Sequence, residues 1–155
     1  MKPVVFSGSF DPVTNGHIDL IKRARAIFGA VVVVVFDNAT KKGMFTPQER
    51  VALLKEALDG EENVQVDYAT GLLADYMRRH HYTTVVRGLR SAHDWSHERT
   101  NAYYNKKFNS AVETVFLPAD EKYQYVSSSA IKEAVKYGAD VSDIVPLCVW
   151  RALKK

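Results

Sequence analysis

Residues 31–36 read VVVVVF, and this run constrains the chain more than any other. A half-exposed strand alternates apolar with polar residues, but this segment has no polar face to turn toward water. It is therefore predicted to be a strand covered on both sides, as in parallel sheets flanked by helices. The rest of the sequence supplies the alternation such a sheet requires. Val4–Phe6 reads as a strand, and Ile18–Phe28 as a helix with Ile18, Ile21, Ala24 and Phe28 on or near one face.

After the valine run, TPQERVALLKEAL carries a helix start, with Thr46 as cap, Pro47 in the first helical position and Glu49 closing a capping box. Val64–Tyr68 is the third predicted strand, followed by a helix over Leu72–His80 and a fourth strand over Thr83–Arg87. A helix over Asp94–Phe108, a fifth strand over Glu113–Leu117 and a helix over Ser129–Tyr137, closed by Gly138, come next. A short helix over about 146–154 ends the pattern. Strand–helix alternation through five rounds implies right-handed crossovers, and so an α/β fold with an open, doubly wound, five-stranded parallel sheet and helices on both faces. Ligands of such sheets bind beyond the carboxyl ends of the strands, which points to the loops after Phe6, Phe36, Tyr68, Arg87 and Leu117.

The chain has 155 residues, enough for one domain that buries roughly two-thirds of its unfolded surface. No repeat, low-complexity tract or linker divides it. Its net charge of +3 suits small anionic ligands, and no Lys/Arg-rich tail or basic face interleaved with aromatics points to nucleic acid. The single cysteine, Cys148, forms no internal disulfide, which fits a reducing, cytoplasmic setting. MKPVVFSGSF is too short in its apolar stretch for a signal peptide, and no apolar run approaches the ~20 residues of a membrane span.

The loop after the first strand is GSFDPVTNGH, residues 8–17. Glycines admit close approach of a ligand, and a helix start offers N–H groups and a positive dipole end to phosphate. Neither GxxxxGK[ST] nor GxGxxG occurs. A lone Gly-His would read as a plain turn with Asn15 or Thr14 as cap and a solvated His17; the length and composition of the whole loop favour a ligand site. Lys41 and Lys42, taken alone, read as a solvated pair. Arg87 ends an otherwise apolar strand and reads either as a strand-end arginine in a surface salt bridge or, as favoured here, as a guanidinium fork facing phosphate oxygens. Ser127, Ser128 and Ser129 read equally as helix caps or as an anion cradle. His93 and His97 have a spacing that can bind metal but lack a third ligand, and His80–His81 reads as a helix-end dipole contact. No nucleophile triad or acid–base carboxylate pair is legible. The candidates are mostly cations and hydrogen-bond donors, which favours chemistry on phosphates.

GSFDPVTNGH resembles the [ST]FDP…TxGH signature of the bacterial phosphopantetheine adenylyltransferases, in the nucleotidyltransferase superfamily that shares an HxGH-type motif with class I aminoacyl-tRNA synthetases. TKKGMFTPQERVALL, VVRGLRSAHDWSHE and YVSSSAIKE resemble three further segments of that family, in the same order. The resemblance spans nearly the whole chain and implies a single Rossmann-like nucleotidyltransferase domain over residues 1–155. It implies transfer of the adenylyl group of ATP to 4′-phosphopantetheine, giving dephospho-CoA and pyrophosphate, with Mg²⁺ carried by the triphosphate rather than by the protein.

By the same resemblance Ser9 and Phe10 meet substrate phosphate and nucleotide, and His17 stabilises the transition state at the α-phosphate. Ser9, Lys41, Leu73 and Arg87 take phosphopantetheine, and Lys41 and Arg87 join His17 as catalytic residues. Gly88, Leu89, Arg90 and Glu98, with Tyr123, Gln124, Tyr125, Val126, Ser127, Ser128 and Ser129, hold ATP. A homohexamer and CoA as a candidate feedback inhibitor are further implied. Ser7, Ser9, Gly43, Trp95 and His97 depart from the usual pattern, and Gly43 in place of proline is expected to loosen its loop. The rival readings are a transferase of the same superfamily acting on nicotinate mononucleotide or on glycerol phosphate with CTP, and a silent nucleotide-binding module.

Overall fold

The computed structural model describes residues 2–37 and 40–155. Its strands are β1 (Val4–Gly8), β2 (Val31–Phe36), β3 (Val64–Ala69), β4 (Thr84–Leu89) and β5 (Glu113–Pro118). All pair in parallel, in the order β3-β2-β1-β4-β5. The helices are α1 (Asn15–Phe28), α2 (Pro47–Ala57), α3 (Leu73–His80), α4 (Ala92–Phe108), α5 (Ser128–Lys136) and α6 (Leu147–Leu153).

The valine run occupies β2, and its alternate residues go to opposite faces. Val31, Val33 and Val35 join one core cluster with Leu20 and Ile21 of α1, Leu54 of α2, Ile131 of α5 and Val149 of α6. Val32 and Val34 join the other cluster, with Tyr76 and Met77 of α3. Both faces are dry, so neither register of the pleat has a place for a polar residue. This is the doubly wound sheet that the sequence predicts.

The chain runs outward from β1 to β2 to β3 with α1 and α2 on one face, then returns to β4 beside β1 through α3 on the other face. Strand order reverses between β1 and β4. Loops leaving those two strands diverge to opposite faces, and the gap between them is where such sheets bind ligands.

Element boundaries differ modestly from those predicted. β1 continues through Ser7 and Gly8, and β4 through Gly88 and Leu89, because each finds a parallel partner. β3 and β5 likewise each gain a residue, Ala69 and Pro118. α1 begins at Asn15, with Thr14 and not Asn15 as cap. α4 starts two residues early, under a cap from Ser91, whose hydroxyl accepts from the Asp94 amide. The Thr46–Glu49 capping box and Pro47 in the first turn of α2 are as the sequence indicates. Among the described residues no helix is long and apolar enough to cross a membrane.

Candidate functional site

A cleft of about 470 Å³ opens at the carboxyl ends of β1 and β4. The loop after β1 forms one wall through Ser9, Phe10, Thr14 and His17. Arg87, Gly88 and Arg90, at and after the end of β4, form the floor with Glu98 of α4. Tyr123, Val126 and the three serines 127–129, at the start of α5, close the far side. Two helix N-termini, those of α1 and α5, therefore meet at one cavity, each bringing the positive end of its dipole.

The turn that delivers His17 is built with unusual economy of parts. Phe10 adopts a left-handed φ of 49°, uncommon for a non-glycine residue, and this turns its ring inward until it is only 2% exposed. A Cβ on Gly8 would stand 3.3 Å from that ring, so Gly8 makes room for Phe10 as much as for any ligand. The Phe10 ring in turn meets the His17 imidazole edge-on, with centroids 5.1 Å apart.

Thr14 and His17 complete a reciprocal cap. The Thr14 hydroxyl accepts from the His17 amide at 3.2 Å, and the Thr14 amide donates to His17 Nδ1 at 3.0 Å. A backbone N–H can only donate, so Nδ1 must present its lone pair and Nε2 carries the ring's hydrogen. His17 is half-buried, and desolvation, aided by the positive charges of Arg87 and Arg90, lowers its pKa to about 4. It is thus a neutral imidazole with a fixed N–H, a donor for an oxyanion rather than an acid.

Arg87 is pinned just as firmly. Its Nε and Nη2 donate to the two oxygens of Glu98, each at 2.8 Å, and Nη1 donates to the Ser7 carbonyl. Glu98 is buried, lines the cleft, and has both oxygens on Arg87. Arg90 is gripped by Asp94 and donates to the Val126 carbonyl at 3.1 Å, tying the floor to the serine segment. Of the serines, Ser127 caps α5 through the Ala130 amide and Ser128 donates to the Pro12 carbonyl at 2.8 Å. Ser129 is exposed at the cleft. The two open readings of this run thus divide: Ser127 is a cap, Ser128 a tie to the β1 loop, and Ser129 is left to the cavity.

A second pocket of about 410 Å³ adjoins the first and shares Ser9, Arg87 and Glu98 with it; Leu73 lies there, beside Leu72 and Tyr104. Lys41, Leu89, Gln124 and Tyr125 line neither cavity. Leu89 pairs with Pro118 in the sheet, and Tyr125 is 87% exposed. Lys41 is exposed in the loop after β2, of which positions 38 and 39 lie outside the described residues. His97, read from sequence as part of a solvated helix face, lines the cleft one turn from Asp94, whereas His93 does not.

Sequence reasoning missed a polar group behind this wall. Asp11 and Arg50 are 3% and 4% exposed, and with Lys132 they join the β1 loop to α2 and α5. The nearest signal was that Arg50 lies in phase with the buried Leu54 and Leu58, an arginine where an inward-facing residue belongs. Gly43, where the family has proline, sits against this group with no room for a side chain. Its missing side chain lets the chain close on this group, because a Cβ there would stand 2.7 Å from Arg50 Nη2 and 2.9 Å from Asp11 Oδ2.

A family model described as cytidylyltransferase-like matches residues 5–134. The chain is 45% identical to the phosphopantetheine adenylyltransferase of Alkaliphilus metalliredigens, over 100% of this chain and 99% of that one. The chain belongs to the phosphopantetheine adenylyltransferase family. The protein of the same name from Shouchella clausii is 46% identical over 100% of this chain and 98% of its own length. That from Lactiplantibacillus plantarum is 46% identical over 99% of this chain and 94% of its own. The similarity runs end to end, so it covers the cleft, the pocket beside it and the lysine loop together.

Proposed function

We propose that this chain, as one nucleotidyltransferase domain over residues 1–155, transfers the adenylyl group of ATP to 4′-phosphopantetheine, forming dephospho-CoA and pyrophosphate. The observation that carries this reading is the fixed, neutral His17 donor at a cleft floored by Arg87 and Arg90, in a chain similar throughout to phosphopantetheine adenylyltransferases. A phosphate oxygen of the acceptor attacks the α-phosphorus of ATP in line. The new P–O bond forms as the bond to the bridging oxygen breaks, and that electron pair leaves on pyrophosphate.

The attacking oxygen is already anionic near neutral pH, a phosphate monoester having its second pKa near 6. No base is required, which suits a cleft with no catalytic carboxylate to spare. His17 Nε2–H donates to the α-phosphate as charge builds there, and the dipoles of α1 and α5 favour the same charge. ATP is assigned to Ser9, Phe10, Gly88, Arg90 and Tyr123–Ser129, with Leu89, Gln124 and Tyr125 retained from the family resemblance. Phosphopantetheine is assigned to Ser9, Lys41, Leu73 and Arg87, with Glu98 orienting Arg87.

The chain's own residues do not fit a protein-held cation. Among the described residues no cluster of three or more metal-ligating side chains occurs, and the cleft carboxylates of Glu98 and Asp94 are engaged by arginines. Mg²⁺ is accordingly proposed to arrive on the triphosphate, and no step is derived through it. A cytoplasmic location, feedback by CoA and a homohexamer complete the proposal. The last is supported by Tyr103, Tyr104 and Phe108, exposed large side chains along α4.

The test is pyrophosphate release from ATP and Mg²⁺ with 4′-phosphopantetheine, beside nicotinate mononucleotide and no-acceptor controls. Release only with phosphopantetheine, with dephospho-CoA formed, is the expected result. ATP binding without release for any acceptor would replace the enzyme with a silent module.

A further inference from the structure

Among the described residues none of the lysine loop lines either cavity, yet its far end is held in place by buried charge. Asp11 Oδ2 accepts from the Met44 amide at 2.8 Å, and Oδ1 accepts from the Phe45 amide at 2.9 Å. Arg50 Nε donates to the Phe45 carbonyl at 2.9 Å, and Nη1 to the Ser9 carbonyl at 3.3 Å. Its Nη2 lies 3.6 Å from Asp37 Oδ1, at the exit of β2. Lys132 of α5 completes the set, with Nζ 2.9 Å from Asp11 Oδ2.

Burial pushes the Asp11 carboxyl up, but the Lys132 ammonium and the Phe45 and Met44 amides outweigh it and hold the group below the usual carboxylate range. Neither Asp11, Arg50 nor Lys132 lines the cleft or the pocket beside it. The group instead joins the loop after β1, by the Ser9 carbonyl, to the lysine loop, by Met44 and Phe45, and is backed by Lys132 from α5, while Arg87, Arg90 and Leu73 stand apart from it. Charges taken out of water are costly unless each finds partners, and a hydrophobic trio would pack α2 against the sheet without them. What the charges add is directionality, fixing two amides and two carbonyls in one arrangement.

We propose that Asp11 and Arg50 are positioning residues that lock the lysine loop against the loop after β1, setting Lys41 and Ser9 at the separation that a phosphopantetheine phosphate requires. The proposal rests on the function given above, and on Lys41 serving the acceptor rather than the nucleotide. It requires that breaking the lock weakens acceptor binding while the ATP side, built from Arg90, Tyr123 and the serines, stays intact.

Arg50→Met and Asp11→Asn in the full chain, with Leu54→Ala as a control on the same helix, test this. Arg50→Lys is added because it preserves the charge but loses the fork that spans Phe45 and Ser9. Steady-state KM for phosphopantetheine and for ATP is measured on each variant below its melting temperature, together with the rate of tryptic cleavage after Lys41 and Lys42. The expected result is a phosphopantetheine KM raised at least tenfold, an ATP KM within about twofold, and faster cleavage in the loop. Arg50→Lys should fall between Arg50→Met and the parent chain.

Leu54→Ala, which empties a fully buried site, should lower the melting temperature without that split. Equal rises in both KM values, or the same split in Leu54→Ala, would overturn the proposal. So would unchanged cleavage. A parent chain that makes no dephospho-CoA would remove the proposed function instead, and the cleavage rates alone would then decide for or against the lock.

Discussion

The loops after β1 and β2 leave neighbouring strands at the same edge of the sheet, and they are built in opposite ways. The first is buried nearly throughout: Phe10, Asp11, Val13 and Thr14 are each no more than 3% exposed, Thr14 caps α1 with His17, and Asp11 lends its carboxylate to the second loop. The second keeps Lys41 and Lys42 in solvent and is held at its far end by partners from elsewhere. On the function proposed, transition-state stabilisation needs a donor that does not reorganise, and the buried first loop suits that demand. Capture of an incoming phosphate suits long cations that can reach, provided their base is anchored.

The sharpest way to break this contrast is His17→Ala. Losing one preorganised donor to a developing oxyanion costs about 10²–10³-fold in kcat, while ATP affinity should stay within a few-fold. Parallel turnover and equilibrium ATP-binding measurements check it; an equal loss in both would make His17 a ground-state contact. Lys41→Ala should behave in the reverse sense, raising the KM for phosphopantetheine about tenfold with kcat little changed, as expected when one charge-assisted contact is removed. A kcat defect as large as that of His17→Ala would erase the distinction between the loops.

A smaller effect separates cap from catalyst within the first loop. Thr14→Ala removes the hydroxyl that accepts from the His17 amide, costing about 1 kcal/mol, or roughly 2–4 °C in melting temperature for a chain of this length. The backbone N–H that sets the imidazole tautomer remains, so kcat should fall by no more than about threefold. A collapse in kcat would show that the hydroxyl, not the amide, orients the ring.

The least effect near neutrality, and the most selective, is with acid. His17 has a pKa of about 4 in the folded chain and an ordinary one when unfolded, so the unfolded state takes the proton first. Stability therefore falls as pH drops from about 6.5 toward about 4, and His17→Gln should flatten that slope. Asp11 works in a lower window: its depressed folded pKa gives stability present above the ordinary carboxylate value and lost as pH falls through the folded one. Thermal melts from pH 7 to pH 3 on the parent chain and the two variants His17→Gln and Asp11→Asn would resolve the windows; identical profiles would refute both assignments.

What could be read from the sequence follows the same division between local and distant. The valine run, the Thr46–Glu49 box and the loop-to-helix step at His17 are decided by residues within a few positions of one another, and pattern alone reveals them. The Asp11–Arg50–Lys132 group joins Asp11 to partners 39 and 121 residues away, so nothing in the sequence brings them together until the sheet does. Glu98 was visible only by family resemblance, and its hold on Arg87 needed the register of α4 over β4. The space that Gly43 leaves for Arg50 and Asp11 was likewise illegible, because a missing side chain in a sequence does not say which distant group fills its place.

The reciprocal cap between Thr14 and His17 has a consequence for inheritance. His17 both closes the cap that begins α1 and, on the function proposed, meets the reacting phosphate, so a substitution there is judged twice, once by folding and once by turnover. A replacement that could cap the helix as well, such as glutamine, fails the second judgement because it offers a different donor. One that could donate to phosphate, such as lysine, fails the first because it has no atom to accept from the Thr14 amide. Few replacements at position 17 satisfy both demands, so drift there is closed off from either side, whereas Thr14 answers chiefly to folding.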